Sequence, residues 1–597
     1  MSENPHFLNV SQSVSGRAWQ ARAIEHRDAK AMAERHDLPE LLSRVLAGRG
    51  VGLDEVGAYL NPTLRSLMPR SRKLADLEKG SERIAHGVLS GERIAVIGDY
   101  DVDGMSSSAL LHRFFRSLGC EPLIYIPDRL KEGYGPNRKA VETLKNQGAR
   151  LLITVDCGTG AHESLTHAAS LGLDTVIVDH HQADAALPQA HAVINPNRHD
   201  DLSGLGALAA VGVTFILVAA IRGRLRDRGY FTPSRPMPDL LQWLDLTALG
   251  TVCDVVPLIG LNRAYVAQGF KVMGRRINPG LAALADVAGL RRRPDPYAAG
   301  FILGPRINAA GRLGRSDLGV KLLTTGDSGE AALLARALES LNRQRQDIEA
   351  ALCETAFTQA RTQLDTDPDR ALVFVHGQNW HPGVLGLVAS RLKQRFARPA
   401  IAITHYGDGS LATGSGRSVR GVDLGCILRS ACEAGLALKA GGHAMAGGLT
   451  VEAARLGKLD GFLQNRIAET ATEPFFEDAI LTLDGALAAS AATTKLVELL
   501  DRAGPFGAGN PPPVFAFPAH HIRYGDLVGK NHVKCRLATS EGTSLKAIAF
   551  RALGTPLGEM LLNVRDRPVH IAGRLAIDDW GGARTAQLFI DDAAMIA

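Results

Sequence analysis

The sequence predicts an α/β protein in which two α/β domains are joined by a long helix and followed by a small β-barrel. Three observations predict it. Short apolar runs alternate with helix-like segments over residues 76–325, the pattern of a parallel sheet covered by helices. A proline-free run of helical composition over 326–365 then leads to a second alternating region, 366–470. The tail, 471–597, changes to period-two alternation, which fits strands with one buried face. At 597 residues the chain is too long for one core, so several units are required.

Each element follows from its own residues. Residues 1–75 read as a polar, largely helical lead-in. RIAVIGDY (93–100) is a buried strand, and 106–119 is a helix whose serine cluster caps its start. LLITVDCG (151–158), TVIVDHH (175–181) and HAVINP (191–196) are further strands. Leu202 to Ile221 carries no charge over twenty residues and is long enough to span a bilayer. Its glycines, and its place between motifs that must share one site, favour a helix buried between layers; no membrane partner is expected. The basic, proline-rich stretch 223–239 reads as an exposed loop, and the polar stretch 364–370 as a boundary. In the tail, HVKCRL (532–537) places Val533, Cys535 and Leu537 on one face and His532, Lys534 and Arg536 on the other. A Trp580-Gly581-Gly582 turn separates two more alternating runs.

The net charge of +5 suits a polyanionic partner without requiring one. Seven scattered cysteines, none in a CxxC pair, argue against a disulfide framework or zinc ribbon and for a reducing compartment, the cytoplasm. The opening MSENPHFLNVSQS has no signal-peptide pattern.

The chemistry lies where apolar runs end. GDYDVDG (98–104) sets Asp99, Asp101 and Asp103 at a strand-to-helix turn. In extended backbone they share one face, and such crowding is costly without a cation. A solvated acidic turn is the alternative for this motif alone. VDCG brings Asp156, VDHHQ brings Asp179, His180 and His181, and CDVVPL brings Asp254. Ligands of parallel sheets collect at the carboxyl ends of strands. Oxygen donors with imidazole suit Mn²⁺ or Mg²⁺.

These blocks resemble the DHH phosphoesterase superfamily, and from about residue 50 onward the chain resembles its RecJ family. The resemblance implies a DHH domain, a DHHA1 domain with the GGH signature of 441–443, and a C-terminal OB-fold. It implies two divalent ions, Mn²⁺ or Mg²⁺, held by Asp101, Asp103, Asp156, His180 and Asp254, with Asp156 between them. Asp99 is a further candidate metal ligand, and His181 a catalytic group at or behind the ions. Two ions activating water and stabilising phosphate charge would need no serine or cysteine nucleophile.

Substrate groups follow from the same resemblance. Arg129 and Tyr134, in PDRLKEGYGPN, are candidates for gripping phosphate and stacking a base. Arg306, Asn308 and Arg312, in GPRINAAGRLGR, are candidates for phosphate contacts. Ser415, Arg417 and Ser418, with Gly442 and His443, are expected to close over the nucleic-acid end. Ser415 and Arg417 would take a terminal 5′-phosphate. By composition alone, 127–137 reads rather as an exposed polar loop, 304–315 equally as a plain basic linker, and the glycine-rich segments of the second unit as turns that serve tight packing. The implied activity is a processive 5′-to-3′ exonuclease of single-stranded DNA that releases 5′-mononucleotides in recombination and repair. Its expected partners are a single-strand-binding protein and a RecQ-type helicase, and it would act as a monomer. A phosphoesterase of short oligonucleotides or cyclic dinucleotides, and a non-catalytic DNA-binding scaffold, are the alternatives.

Overall fold

The computed structural model describes residues 6–69, 73–407, 409–470, 480–539, 542–564, 567–579 and 583–596. The Trp580-Gly581-Gly582 turn lies outside them. The chain divides into two units, one of 68–256 and 268–477 and one of 1–67, 257–267 and 478–597.

In the larger unit, five parallel strands form the first sheet. Their order is Leu123–Tyr125, Ile94–Gly98, Leu151–Val155, Asp174–Val178, Ala192–Ile194. Ile94–Gly98 and Leu151–Val155 are buried at every residue, as continuous apolar runs covered on both faces must be. The strand first in sequence lies between the second and the third. The chain therefore leaves Ile94–Gly98 toward one side of the sheet and continues from Leu151–Val155 toward the other. Connections diverge there and leave a crevice at the carboxyl ends.

The following helix, Val102–Ser117, starts four residues earlier than the serine cluster suggested. Its cap is Asp101, whose side chain accepts from the Asp103 and Gly104 amides at 2.8 and 3.0 Å. An aspartate in this position satisfies the free amides of the first turn and complements the helix dipole. Ser106, Ser107 and Ser108 are buried inside the helix instead. The uncharged segment forms most of Ala210–Asp227, buried along nearly its whole apolar length. That helix extends to Asp227, so the basic loop begins only beyond it. Among the described residues, no helix is long and apolar enough to cross a membrane.

The long helix spans Ser328–Thr366, 39 residues, or about 58 Å at 1.5 Å per residue. Asp327 caps it by accepting from the Glu330 amide. Its buried residues recur every three or four positions, from Ala331 to Ala360, and include Asn342, Arg345 and Glu349. A second, mixed sheet follows, with order Lys439–His443, Ala446–Glu452, Leu411–Arg417, Ala400–Tyr406, Val373–Gln378.

In the smaller unit, Phe515–Val528 pairs with both His532–Ala538 and Pro568–Asp578, which closes a barrel. Val533, Cys535 and Leu537 point into its core, with His532, Lys534 and Arg536 half-buried on the other face. The lead-in belongs to this unit: Ala18–Ala21 runs parallel to Ile480–Leu483, and Trp19 is fully buried, its indole N–H donating to Asp592 at 3.0 Å.

Candidate active site

The sheet brings the acids together as its switch point requires. Asp99 follows Ile94–Gly98, Asp156 follows Leu151–Val155, and Asp179, His180 and His181 follow Asp174–Val178. Asp101 and Asp103 stand at the start of the next helix, and Asp254 ends the helix Leu244–Cys253. Close approach makes the turn possible. A Cβ on Gly104 would lie 2.5 Å from the Asp99 carbonyl oxygen, so glycine is required there. Asp156 has φ 60°, a left-handed conformation that aspartate tolerates better than most side chains.

Ligand-type atoms gather in three overlapping groups, each within 4.8 Å: Asp99, Asp101 and Asp156; Asp156, His180 and His181; Asp103, His180 and Asp254. Asp156 and His180 each belong to two. His180 Nε2 lies 3.3 Å from an Asp156 oxygen and 3.6 Å from an Asp254 oxygen. These are not satisfied polar groups. Asp99 Oδ1, Asp156 Oδ1, Asp254 Oδ2 and His180 Nε2 are all buried without a hydrogen-bond partner. Orphaned buried polar atoms are expensive, and four converging on one space fit a cation.

Electrostatics says the same. Burial, reinforced by neighbouring carboxylates, holds Asp99 and Asp156 well above the usual carboxylate range. The same causes push Asp254 up to about 9. Asp103 rises to about 7 through burial and the Asp101 charge, although it accepts from the Ala210 and Val211 amides at 2.7 and 3.0 Å. The three aspartates of the motif thus do not share one extended face. Asp101 caps one helix, and Asp103 is tied to the start of another. Burial and the His181 charge lower His180 to about 4, so its imidazole is neutral and its lone pair available.

Asp179 has a different job. Burial opposes its charge, but hydrogen bonds from His181 Nδ1 (2.7 Å) and the Thr159 amide (3.0 Å) hold it well below the usual range. It fixes the His181 ring; burial works against that ring's charge, and Asp179 lifts its pKa. The Tyr134 hydroxyl donates to the Asp156 carbonyl at 3.0 Å and lies 3.2 Å from His181 Nδ1. The His443 ring stacks over His181, centroids 6.5 Å apart.

A cluster of guanidinium groups adjoins the acids. Burial, with the charges of Arg129, Arg345 and Arg417, lowers Arg312 to about 10. Burial and Arg129 also lower Arg417. Arg129 stacks on Tyr100 at 4.9 Å, and its charge reaches Asp99. Arg417 Nη1 lies 3.2 Å from Ser415 Oγ, and Arg312 donates to the Gly383 carbonyl at 3.0 Å. Desolvated cations facing one another favour a bound anion.

Some predicted substrate residues are placed otherwise. Arg306 is held by Glu339 at 2.6 Å and donates to the Ile302 carbonyl, outside the cluster. Asn308 is half-buried one turn before Arg312, on the same helix face. Ser418 is buried and donates to the Val422 carbonyl at 2.7 Å, away from Arg417. Gly442 has φ 145°, and a Cβ there would meet the Ala446 carbonyl oxygen at 2.3 Å; its role is to let the hairpin close. Arg345 and Glu349 escape sequence reasoning altogether. Glu349 accepts from Arg345 and from Arg391, leaving it the carboxylate that balances this cluster.

The chain is similar to known proteins over nearly its whole length. Family models match the DHH family N-terminal domain at residues 93–251, the DHHA1 domain at 369–469 and the RecJ OB domain at 483–592. The chain is 37% identical to the single-stranded-DNA-specific exonuclease RecJ of Salmonella typhimurium, over 96% of this chain and 99% of that protein. It is 39% identical to the protein of that name in Escherichia coli, over 93% and 96%. The crystal structure of RecJ with Mn²⁺ from Thermus thermophilus superposes with a TM-score of 0.80 at 27% identity, covering 96% of this chain and 79% of that one. The Mg²⁺ form gives 0.74 at 26% identity, over 96% and 78%.

Proposed function

The chain belongs to the RecJ family of single-stranded-DNA-specific exonucleases, and from that premise we propose how its own side chains carry out the cleavage. The protein is a metal-dependent exonuclease of single-stranded DNA. Asp101, Asp103, Asp156, His180 and Asp254 would hold two divalent cations, Mn²⁺ or Mg²⁺; Asp156 belongs to two of the ligand groups, Asp99 adjoins it, and His181 is held by Asp179. When bound, such ions supply a lowered pKa for water and charge stabilisation on the phosphate. The observation that carries this reading is the orphaned set of Asp99, Asp156, Asp254 and His180 atoms beside a desolvated guanidinium cluster.

The chain's residues divide the remaining work. Arg129 and Arg312 grip the phosphate under attack, oriented by Tyr100 and the Gly383 carbonyl. Asp179 fixes His181, and Tyr134 braces both His181 and the Asp156 loop. Ser415 and Arg417 take the terminal 5′-phosphate, which sets 5′-to-3′ polarity and the release of 5′-mononucleotides. His443, stacked on His181, closes the site from the second sheet. Lys534 and Arg536 of the barrel hold backbone phosphates. The protein acts as a monomer in the cytoplasm, in recombination and repair, with a single-strand-binding protein and a RecQ-type helicase supplying the strand.

Digestion of one strand, labelled separately at each end, with and without Mn²⁺, tests this reading. Metal-dependent release of labelled mononucleotide from the 5′ end is expected. First release from the 3′ end, or cleavage in excess chelator, would refute it.

A further inference from the structure

Away from the acids, the larger unit carries a basic pocket of about 650 Å³. Lys271, Arg275, Arg276, Arg291, Arg292 and Arg293 surround a floor that includes Met273 and Leu281. Two carboxylates answer these six cations: Asp286 holds Arg276 at 2.6 Å, and Asp295 lies 3.5 Å from Arg292. Among the described residues, no carboxylate pairs with Arg275, Arg291 or Arg293. All six cations are exposed. So concentrated a positive charge is a standing attraction for a polyanion.

The chain leaves this pocket at Pro294 and makes a second unusual feature. Asp295 accepts from the Ala298 amide at 2.7 Å and opens a helix whose first turns are a π-helix, Ala298–Leu303. Ala298 and Ala299 face inward, fully buried. Tyr297 and Phe301 face outward, 58% and 71% exposed. Their rings stack at 5.0 Å and 26°. Two large rings stacked in water are an uncommon use of apolar surface, and π-helical turns concentrate at functional sites. The segment is also tied to the catalytic acids. Cys253, the residue before Asp254, donates to the Ala299 carbonyl at 3.4 Å, and a Cβ on Gly304 would meet its sulfur at 2.5 Å.

We propose that the Tyr297–Phe301 pair and the adjoining arginine pocket form a second binding surface for single-stranded DNA, which holds the part of the strand not being cleaved. Cations that track phosphates beside rings that stack unpaired bases are the two components of single-strand recognition. A duplex would offer the phosphates but no free base faces, and an acidic peptide would use the cations but leave the ring pair unengaged. The proposal rests on the single-strand exonuclease reading above.

The test compares a long strand, dT30, with a tetranucleotide, which has few bases to spare for a surface beyond the acids. In the variant Y297A/F301A, the KM for dT30 should rise about tenfold, within the range for losing a stacked base, while turnover of the tetranucleotide stays as in wild type. Y297F should keep wild-type KM. In R291A/R293A, the logarithmic salt dependence of dT30 binding should become shallower by about 1.4, two phosphate contacts at ~0.7 each. Binding is measured separately in chelator, so failure of the nuclease reading, seen as no turnover by wild type, leaves this surface testable. Unchanged dT30 affinity in both variants, as expected of a surface that takes a peptide, would overturn the proposal. So would equal losses on both substrate lengths.

Discussion

Removing divalent metal should make the stability of this protein fall steeply with rising pH, and restoring the metal should flatten that dependence. The perturbation is chelation followed by a change from about pH 6 to about pH 8. Asp103 stands at about 7 and Asp254 at about 9 in the folded chain, whereas unfolded carboxyls ionise near pH ~4. The native state therefore binds more protons than the unfolded state throughout this window. Stability is lost as those protons leave. Integrated from about pH 6 to about pH 8, the loss is about 1 kcal/mol for a group at 7 and about 3 kcal/mol for one at 9. These two groups together come to about 4 kcal/mol; Asp99 and Asp156, also held protonated, add to the loss, His180, held neutral, works against it, and each proton retained relieves the neighbouring acid. Asp245, raised to about 6 by burial, contributes equally with and without metal and cancels from the comparison. The assay is thermal unfolding at both pH values, in chelator and in Mn²⁺, for wild type and for D103N/D254N. Wild type in chelator should melt several degrees lower at the higher pH. Mn²⁺, which binds the deprotonated ligands more tightly as pH rises, should remove most of that difference. The double variant should show a smaller difference, because Asp99 and Asp156 are still held above the usual carboxylate range. An equal pH slope with and without metal, or a slope of opposite sign, would refute the charge argument.

Three further outcomes follow from single positions. Asp156→Asn keeps a residue that accepts φ 60° but removes the shared carboxylate; strand cleavage should fall by at least about a thousandfold, while affinity for a single strand in a filter-binding assay survives, and turnover within tenfold of wild type would remove Asp156 from the mechanism. Arg417→Ala should slow hydrolysis of 5′-phosphorylated strands more than of 5′-hydroxyl strands if Arg417, 3.2 Å from Ser415 Oγ, takes the terminal phosphate as proposed; equal losses count against a terminal-phosphate site. Glu349→Gln leaves buried Arg345 beside the other guanidinium groups, so urea denaturation should show a loss of about 3 kcal/mol, with part of it recovered in millimolar phosphate.

The acids were legible because their positions obey a rule that composition cannot hide. Asp99, Asp156 and Asp179 each follow an apolar strand, and a parallel sheet puts the ends of such strands on one edge; Asp254 instead ends an apolar helix. What they do individually was less legible. Asp101, Asp103 and Asp99 look equivalent in GDYDVDG, yet backbone amides claim Asp101 and Asp103, and Asp99 is left with an unpartnered oxygen. Arg306 and Arg312 look equivalent in GPRINAAGR. Six residues apart on one helix they point in different directions, and the partner that removes Arg306, Glu339, lies 33 residues away. Arg345 and Glu349 sit in a stretch of ordinary helical composition, so nothing local marks them. Only the packing of the long helix shows that their side of it is buried.

Asp179 and Glu349 play the same part for different side chains. One carboxylate fixes His181 beside the acids, and the other ties down Arg345 and Arg391 beside the guanidinium cluster. Neither carboxylate is left with an orphaned oxygen, whereas Asp99, Asp156 and Asp254 are. The fold thus spends some of its acids on orienting side chains and withholds protein partners from others. An ionised buried carboxylate costs stability unless a proton or a cation neutralises it. Withholding partners from Asp99, Asp156 and Asp254 leaves one oxygen of each free to face a cation. Arg129, whose charge reaches both Asp99 and Arg312, then marks where a phosphate can face metal on one side and guanidinium on the other.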